Sequence, residues 1–399
     1  MKKTLIAFAA IAAVSAAQAD VTIYGQLDQG MYNQTDSGNR QSALSSNVNS
    51  TSVLGFKGME DMGGGLSANF DLLSELTLQS GQMGSQTSGD AAVAGGQKPN
   101  IFTRKAEISL ASKDIGTFQI GRLQDLVWLT QGELNNSGSN SFGFAAYTAQ
   151  QTNFTSLATL GYGAAAYLTA PTDTTYTGTK TAAGVVGTAN QSESGYAPVN
   201  FNAGYGYKTP TISGFTGSYQ HIGDMYASTA AGYTAASGNA YRLEYTNGPI
   251  KAQYATTSRN DATGNTGAQW RTYGATYEIG NYKIIAAQST LRTQGNFTQI
   301  DGNTINGVGV NYKLSAMSDV SFAYTTIQDD NSANNGTKGS VFGLTGRYFF
   351  SKRTNVYAGF GQGSNSGGSK ITMFYGGPSA NTAAAASTTG YLVGVRHTF

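Results

Sequence analysis

The chain has 399 residues, with 24 lysines and arginines against 22 aspartates and glutamates, a formal net charge of +2 and no cysteine. Charged residues make up 12% of it, against about 25% in ordinary soluble domains, alongside 53 glycines, 24 tyrosines and 18 phenylalanines. These values exclude a disulfide scaffold and thiolate metal sites, offer no basic stripe to nucleic acid, and run against disorder, which goes with high charge and few aromatics.

The opening MKKTLIAFAAIAAVSAAQAD sets a basic pair (Lys2, Lys3) before an apolar run from Leu5 to Val14 and a small-residue site at Ala17-Gln18-Ala19. That is the pattern of a secretory signal peptide, and its apolar run falls well short of the roughly 20 residues that span a bilayer. Residues 1–19 are expected to be removed, leaving 20–399 as one domain. The removed segment carries two lysines and no acid, so the mature chain is expected to be formally neutral.

Beyond residue 19 no apolar window reaches the length of a membrane helix, and the residues alternate with period two. In VTIYGQLDQ, Val21, Ile23 and Leu27 fall on one face and Thr22, Gln26 and Asp28 on the other. In LSANFDLLSE, Leu66, Ala68, Phe70 and Leu72 oppose Ser67, Asn69, Asp71 and Glu75. FNAGYGYK, AYRLEYT, YGATYEI and NGVGVNYKL repeat the pattern, which marks half-buried strands. Short turns fall at 60–65, 113–116, 208–214, 246–249, 279–281, 315–319 and 351–354, and longer polar stretches such as 77–100, 223–239 and 363–388 lie between them.

Short turns alternating with long loops predict sixteen antiparallel strands, with both chain ends on the short-turn side. A soluble sandwich would carry charge on its outer faces and would not need every second connection to be long. Here the apolar face ends in aromatics (Tyr205, Tyr207, Tyr241, Tyr245, Tyr273, Tyr277), as at the two lipid interfaces of a membrane barrel. The expected fold class is all-β: a 16-stranded antiparallel transmembrane β-barrel. In the closing YLVGVRHTF, alternation sends Tyr391, Val393, Val395, His397 and Phe399 outward and Gly394, Arg396 and Thr398 inward.

The stretches VTIYGQLD (21–28), LGFKGMEDMGGGLSANFDL (54–72), RKAEISL with GTFQIGR (104–122) and VGVRHTF (393–399) together resemble the trimeric, sixteen-stranded general porins of Gram-negative outer membranes. The resemblance spans the mature chain. It implies passive diffusion of ions and small hydrophilic solutes through a water-filled pore, narrowed by an inward-folded third loop whose acids face basic wall residues. It implies no cofactor. The implied partners are a homotrimer, outer-membrane lipid and lipopolysaccharide, and the barrel assembly machinery that reads the terminal Phe399.

Carried over by position, Arg104 matches a wall arginine of the pore constriction, whereas Val53, Asn200 and Gln26 stand where relatives place cations. Strong anion selectivity is therefore not expected. Asp125 and Glu133, in a third loop running from about 124 to 199, supply the acidic side, and Trp128 is expected to anchor the loop. Lys57, Lys208, Arg242 and Arg396, with Lys251 and Lys313, share the polar face and line the pore. Arg122 matches a trimer-contact arginine, and 77–100 a latch onto a neighbour. The stretch 163–194 reads as an insertion that either narrows the pore or forms an outer flap. One conflict stands: with Arg104 inward, alternation sends Lys105 and Glu107 to lipid unless they pair across a subunit contact, whereas apolar parity sends Ala106, Ile108 and Leu110 there instead.

An enzyme needs a nucleophile, a base and an orienting group within hydrogen-bond reach. The two histidines, His221 and His397, both fall on the lipid-facing parity, so no base is expected. Asp329-Asp330 offers at most a weak divalent site and reads as a solvated loop pair. A substrate-specific channel and a plugged structural barrel are the remaining alternatives, because both depend on how residues 124–199 pack.

Overall fold

The computed structural model describes residues 20–36, 38–83, 101–137, 141–145, 180–181, 184–185, 200–222, 237–260, 266–293, 301–330, 337–367, 369 and 387–399. Sixteen antiparallel strands form the wall. They are β1 (Asp20–Asp36), β2 in two halves (Asn39–Ser46 and Val53–Gly63), β3 (Leu66–Thr77), β4 (Lys105–Ser112), β5 (Gly116–Gln124), β6 (Asn200–Lys208), β7 (Phe215–Ile222) and β8 (Gly238–Asn247). There follow β9 (Ile250–Asn260), β10 (Thr266–Ile279), β11 (Tyr282–Thr293), β12 (Asp301–Ser315), β13 (Ser318–Asp329), β14 (Lys338–Phe349), β15 (Thr354–Ser366) and β16 (Ser387–Thr398). One helix, α1 (Leu126–Glu133), follows β5. Two-residue pairings at Gln82–Met83, Lys180–Thr181 and Gly184–Val185 lie outside this wall.

Each strand pairs with its sequence neighbours, and β1 closes the sheet on β16 from Gln26 opposite Thr398 to Asp36 opposite Thr388. Closure leaves no strand edge, the condition for a sheet to cross a bilayer. The seam runs to the last residue: the Phe399 amide donates to the Gly25 carbonyl (3.1 Å) and the Gly25 amide to the Phe399 carbonyl (3.2 Å). Asp20 and Phe399 lie on the short-turn side, where the Thr398 amide also reaches the Arg353 carbonyl (2.8 Å). The expected tight turns are all present; in the first, Gly63, Gly64 and Gly65 each take positive φ, which glycine adopts at no steric cost.

Side-chain parity follows the sequence reading. Val21, Ile23, Ile108, Tyr254, Tyr273, Val308, Phe322, Leu344 and Val393 are exposed on the outside. Their strand neighbours Asp28, Thr257, Thr272, Ser289, Thr325 and Thr388 are buried within. This apolar-out, polar-in order is that of a barrel in lipid around a wet interior.

Two features depart from expectation. The connection from β1 to β2 is not a long loop, because the register of β1 with β2 continues to Asp36 opposite Asn39. And β2 is broken: its first half pairs with β1 at 29–36, its second half at 20–26, and residues 47–52 lie between.

Candidate functional site

The interior site is built by the chain that leaves β5. Asp125 caps α1: its carboxylate accepts from the Val127 amide (2.7 Å) and from the Thr257 hydroxyl of β9 (2.8 and 3.0 Å). It is fully buried. The expectation that Asp125 faces the pore is therefore corrected. Its position directly before a helix makes it the N-cap acceptor for an otherwise orphaned amide, and the wall hydroxyl takes up its remaining capacity.

From Asp125 the loop runs around the inner wall. Val127 packs with Ala255, Ala268, Trp270 and Leu291. The Gln131 amide donates to Thr272 (3.2 Å) and Ser289 (3.1 Å), and Asn136 donates to the carbonyls of Val308 (2.9 Å) and Tyr324 (3.3 Å). Leu134, Phe142 and Phe144 then bury themselves against Ile305, Ile327, Val341, Tyr357 and Leu392. Inward-facing glycines make room for this course. A Cβ at Gly309 would overlap the Asn136 carbonyl, and one at Gly343 the Phe142 side chain.

Glu133, at the end of α1, faces the wall charges. It accepts from Arg242 (2.7 Å), Lys251 and Gln253 (2.6 Å), and Glu244 joins the group through Arg242 (2.9 Å) and Lys251 (3.4 Å). Burial alone would raise the Glu133 carboxyl, but the bonds from Lys251, Arg242 and Gln253 outweigh it and hold the group at about 2 against an ordinary 4.5. The group stays ionised over any physiological range.

A second charged group lies on β3 and β4. Lys105 pairs with Asp71 (3.1 Å) and approaches Glu107 (3.8 Å), Tyr24 donates to Asp71, and Lys57 stands 5.1 Å over the Tyr24 ring. Arg104 pairs with Glu75 (2.6 Å) and lies 6.0 Å over the Trp128 ring. This corrects the expected conflict. Arg104 precedes the first residue of β4, so alternation does not bind it to Lys105, and Arg104, Lys105 and Glu107 all reach interior partners. The outward face of β4 is apolar, with Ile108 and Leu110 exposed. Between the two charged groups remains a cavity of about 180 Å³, bordered by Lys105, Glu107, Gln124, Leu129, Arg242 and Glu244.

The other predicted positions are dispersed. Lys208 is exposed at the end of β6, Arg396 stands opposite Asp28 in the seam, and Lys313 opposite Asp319, which binds Arg347 (2.7 Å). Arg122 is opposite Ala106, on the outward side of the register, and is buried in its own chain with its Nε on the Thr103 carbonyl (2.8 Å). Asp330 is paired with Arg292 (2.6 Å), and His221 and His397 face Asn239 (3.1 Å) and Thr354 (2.9 Å). No group of metal ligands is present among the described residues. Residues 1–19, 84–100 and the 163–194 insertion, apart from its two short strands, lie outside the described residues.

Glu244, Gln253, Asn136 and Phe142 were not singled out by sequence reasoning, and Asp71 and Glu75 were placed on the polar face of their strand without a role. Glu244 had a usable signal, sharing the strand face of Arg242 two residues away. Phe142 had none, because nothing in SFGF says which wall glycines it will cover.

Known proteins resemble this chain in sequence and in fold. A family model of Gram-negative porins matches residues 4–368. Outer membrane porin protein 32 of Delftia acidovorans is 29% identical, covering all of both chains, and an outer membrane porin protein of Bordetella pertussis is 27% identical over 90% of this chain and 93% of its own. Among solved structures, an anion-selective porin from Comamonas acidovorans superposes with a TM-score of 0.71 at 21% identity, covering 96% of this chain and 100% of that one. OmpT of Vibrio cholerae in its trimer form gives 0.62 at 13% identity, covering 96% and 99%.

Proposed function

We propose a pore mechanism from one premise: the chain belongs to the Gram-negative porin family. It is an outer-membrane channel for the passive diffusion of ions and small hydrophilic solutes. What we add is where the channel narrows and how its charges act there.

The constriction lies where the Glu133 end of α1 meets Arg242 and Lys251, across the lumen from Lys105 and Glu107. The observation that carries this reading is the bonding of Glu133 to both wall cations, which fixes a loop acid over wall bases. Facing charges set a transverse field that a low-dielectric wall strengthens. Because these cations are already paired with carboxylates, the channel is weakly selective. The relative from Comamonas acidovorans is anion-selective; here the neutral Gln26 and Val53 sit directly opposite each other, on the polar face where cations would be needed.

Replacing Glu133 by Gln tests this. It uncovers Arg242 and Lys251, and the reversal potential in a salt gradient is expected to move toward anions in a barrel that still folds. An unmoved reversal potential would place the constriction elsewhere. We further propose export through a signal peptide cleaved after Ala19 and assembly as a trimer with Arg122 at the contact. Lys57, Lys208 and Arg396 line the pore on either side of the constriction, lipopolysaccharide surrounds the trimer, and Phe399 is the terminal signal read by the assembly machinery.

A further inference from the structure

Residues 47–52, which break β2, are bonded as a built element. Asn47 takes a left-handed backbone (φ 66°), tolerated by asparagine more than by most residues, and its Oδ1 accepts the Ser52 amide (2.6 Å). The Asn47 amide donates to the Asp28 carbonyl of β1 (3.1 Å), and the Leu76 amide of β3 to the Ser52 carbonyl (2.9 Å). The wall bonding thus continues around the break. What lies between is turned into the lumen: Val48 and Asn49 are buried, and the Asn49 amide donates to Asp28 Oδ1 (2.9 Å).

Two lines of contact run from this segment to the two ends of the described inner loop. In the first, Asn47 Nδ2 donates to Glu75 Oε1 (3.1 Å), Glu75 Oε2 accepts from Arg104 Nε (2.9 Å) and Nη2 (2.6 Å), and the Arg104 guanidinium stands over Trp128 of α1. In the second, the Val48 carbonyl accepts from the Ser141 hydroxyl, and Val48 shares a buried cluster with Phe142 and Phe144.

We propose that the break in β2 is a brace that holds the constriction loop at both ends, with Asn47, Glu75 and Arg104 as positioning residues. This rests on the reading that α1 narrows the pore. The Asn47 side chain and the Val48 carbonyl are spent on partners that hold the loop rather than on water. The Glu75 and Arg104 side chains are 13% and 11% exposed, and a charge-assisted, two-pronged bond in such shelter is among the stronger polar contacts available. Asn47 is neutral, so truncating it removes position without removing charge.

The test uses the refolded mature chain with Trp270→Phe, which leaves Trp128 as the single remaining tryptophan. Asn47→Ala, Glu75→Gln and Ser141→Ala are compared with that parent by acrylamide quenching of Trp128, by the frequency of brief closures in planar bilayers, and by reversal potential. Asn47→Ala and Glu75→Gln are expected to raise Trp128 quenching. All three variants make brief closures roughly tenfold more frequent, as removal or weakening of one hydrogen bond of ordinary strength allows. In Asn47→Ala the reversal potential stays that of the parent. Folded variants that keep the parent's quenching and closures overturn the brace. If Asn47→Ala does not fold, Glu75→Gln and Ser141→Ala decide it. A parent that folds but conducts no ions overturns the channel reading instead, and the quenching arm still decides the brace.

Discussion

Two acids of one short helix, Asp125 and Glu133, do different work, and the difference is set by where each sits along α1. Asp125 lies at the N-terminal end, buried on its own helix amide and a wall hydroxyl. Asp125→Ala should cost about 1 kcal/mol of loop docking or more, seen as a lower melting temperature and more frequent closures with no change in reversal potential. Glu133 lies at the other end and is part-exposed among cations. Its folded value of about 2 is depressed from 4.5, so its contribution to loop docking is fully present above the ordinary carboxylate value and lost as pH falls through about 2. Conductance should therefore hold steady from pH 7 to pH 4 and change only in stronger acid; a transition near pH 5 in the wild type that is absent from Glu133→Gln would contradict this. The sequence named both acids because loop acids before a polar stretch are conspicuous. It could not separate them, since a cap and a pore acid differ only in what the wall presents to them, and Thr257 is a long way off in sequence.

At the scale of elements, the inner loop and the wall are fitted to one another by small residues on strands remote from the loop. Gly309 and Gly343 face inward beneath Asn136 and Phe142. Gly309→Ala should displace the loop at roughly the 1–3 kcal/mol cost of overpacking and change conductance while sheet content stays that of the wild type; unchanged conductance would mean the loop has slack there. Period-two alternation made the strands legible, and glycine-rich or charged turn residues made the short connections legible, because both are local signals. The break in β2 was not legible. LSSNVNSTSV contains no proline or glycine to announce it, and its cause is tertiary: Asn47 and Ser52 close on each other while Asp28, Glu75 and Ser141 draw the segment inward. The conflict at Lys105 and Glu107 has a similar origin: counting alternation from Arg104, one residue before the strand starts, sent them outward, while the apolar parity of Ala106, Ile108 and Leu110 gave the direction found.

For the whole molecule, closure explains the composition. A chain with few charges and many aromatics suits a wall that meets lipid outside and water inside, and the seam from Gln26 to Phe399 joins the first and last strands without an edge to protect with charge. Among the described residues, Arg104, Lys105, Arg242 and Lys251 are matched by carboxylates at the Glu75, Asp71 and Glu133 pairs. The central claim is an open, charge-balanced pore. It is tested most directly by the step conductance and reversal potential of the refolded mature protein in a planar lipid bilayer under a salt gradient. Steady ohmic steps, arriving in groups of three, with a reversal potential close to zero, are the predicted result. A folded barrel that gives no steps, or steps whose reversal potential approaches the limit for a single ion sign, would contradict it.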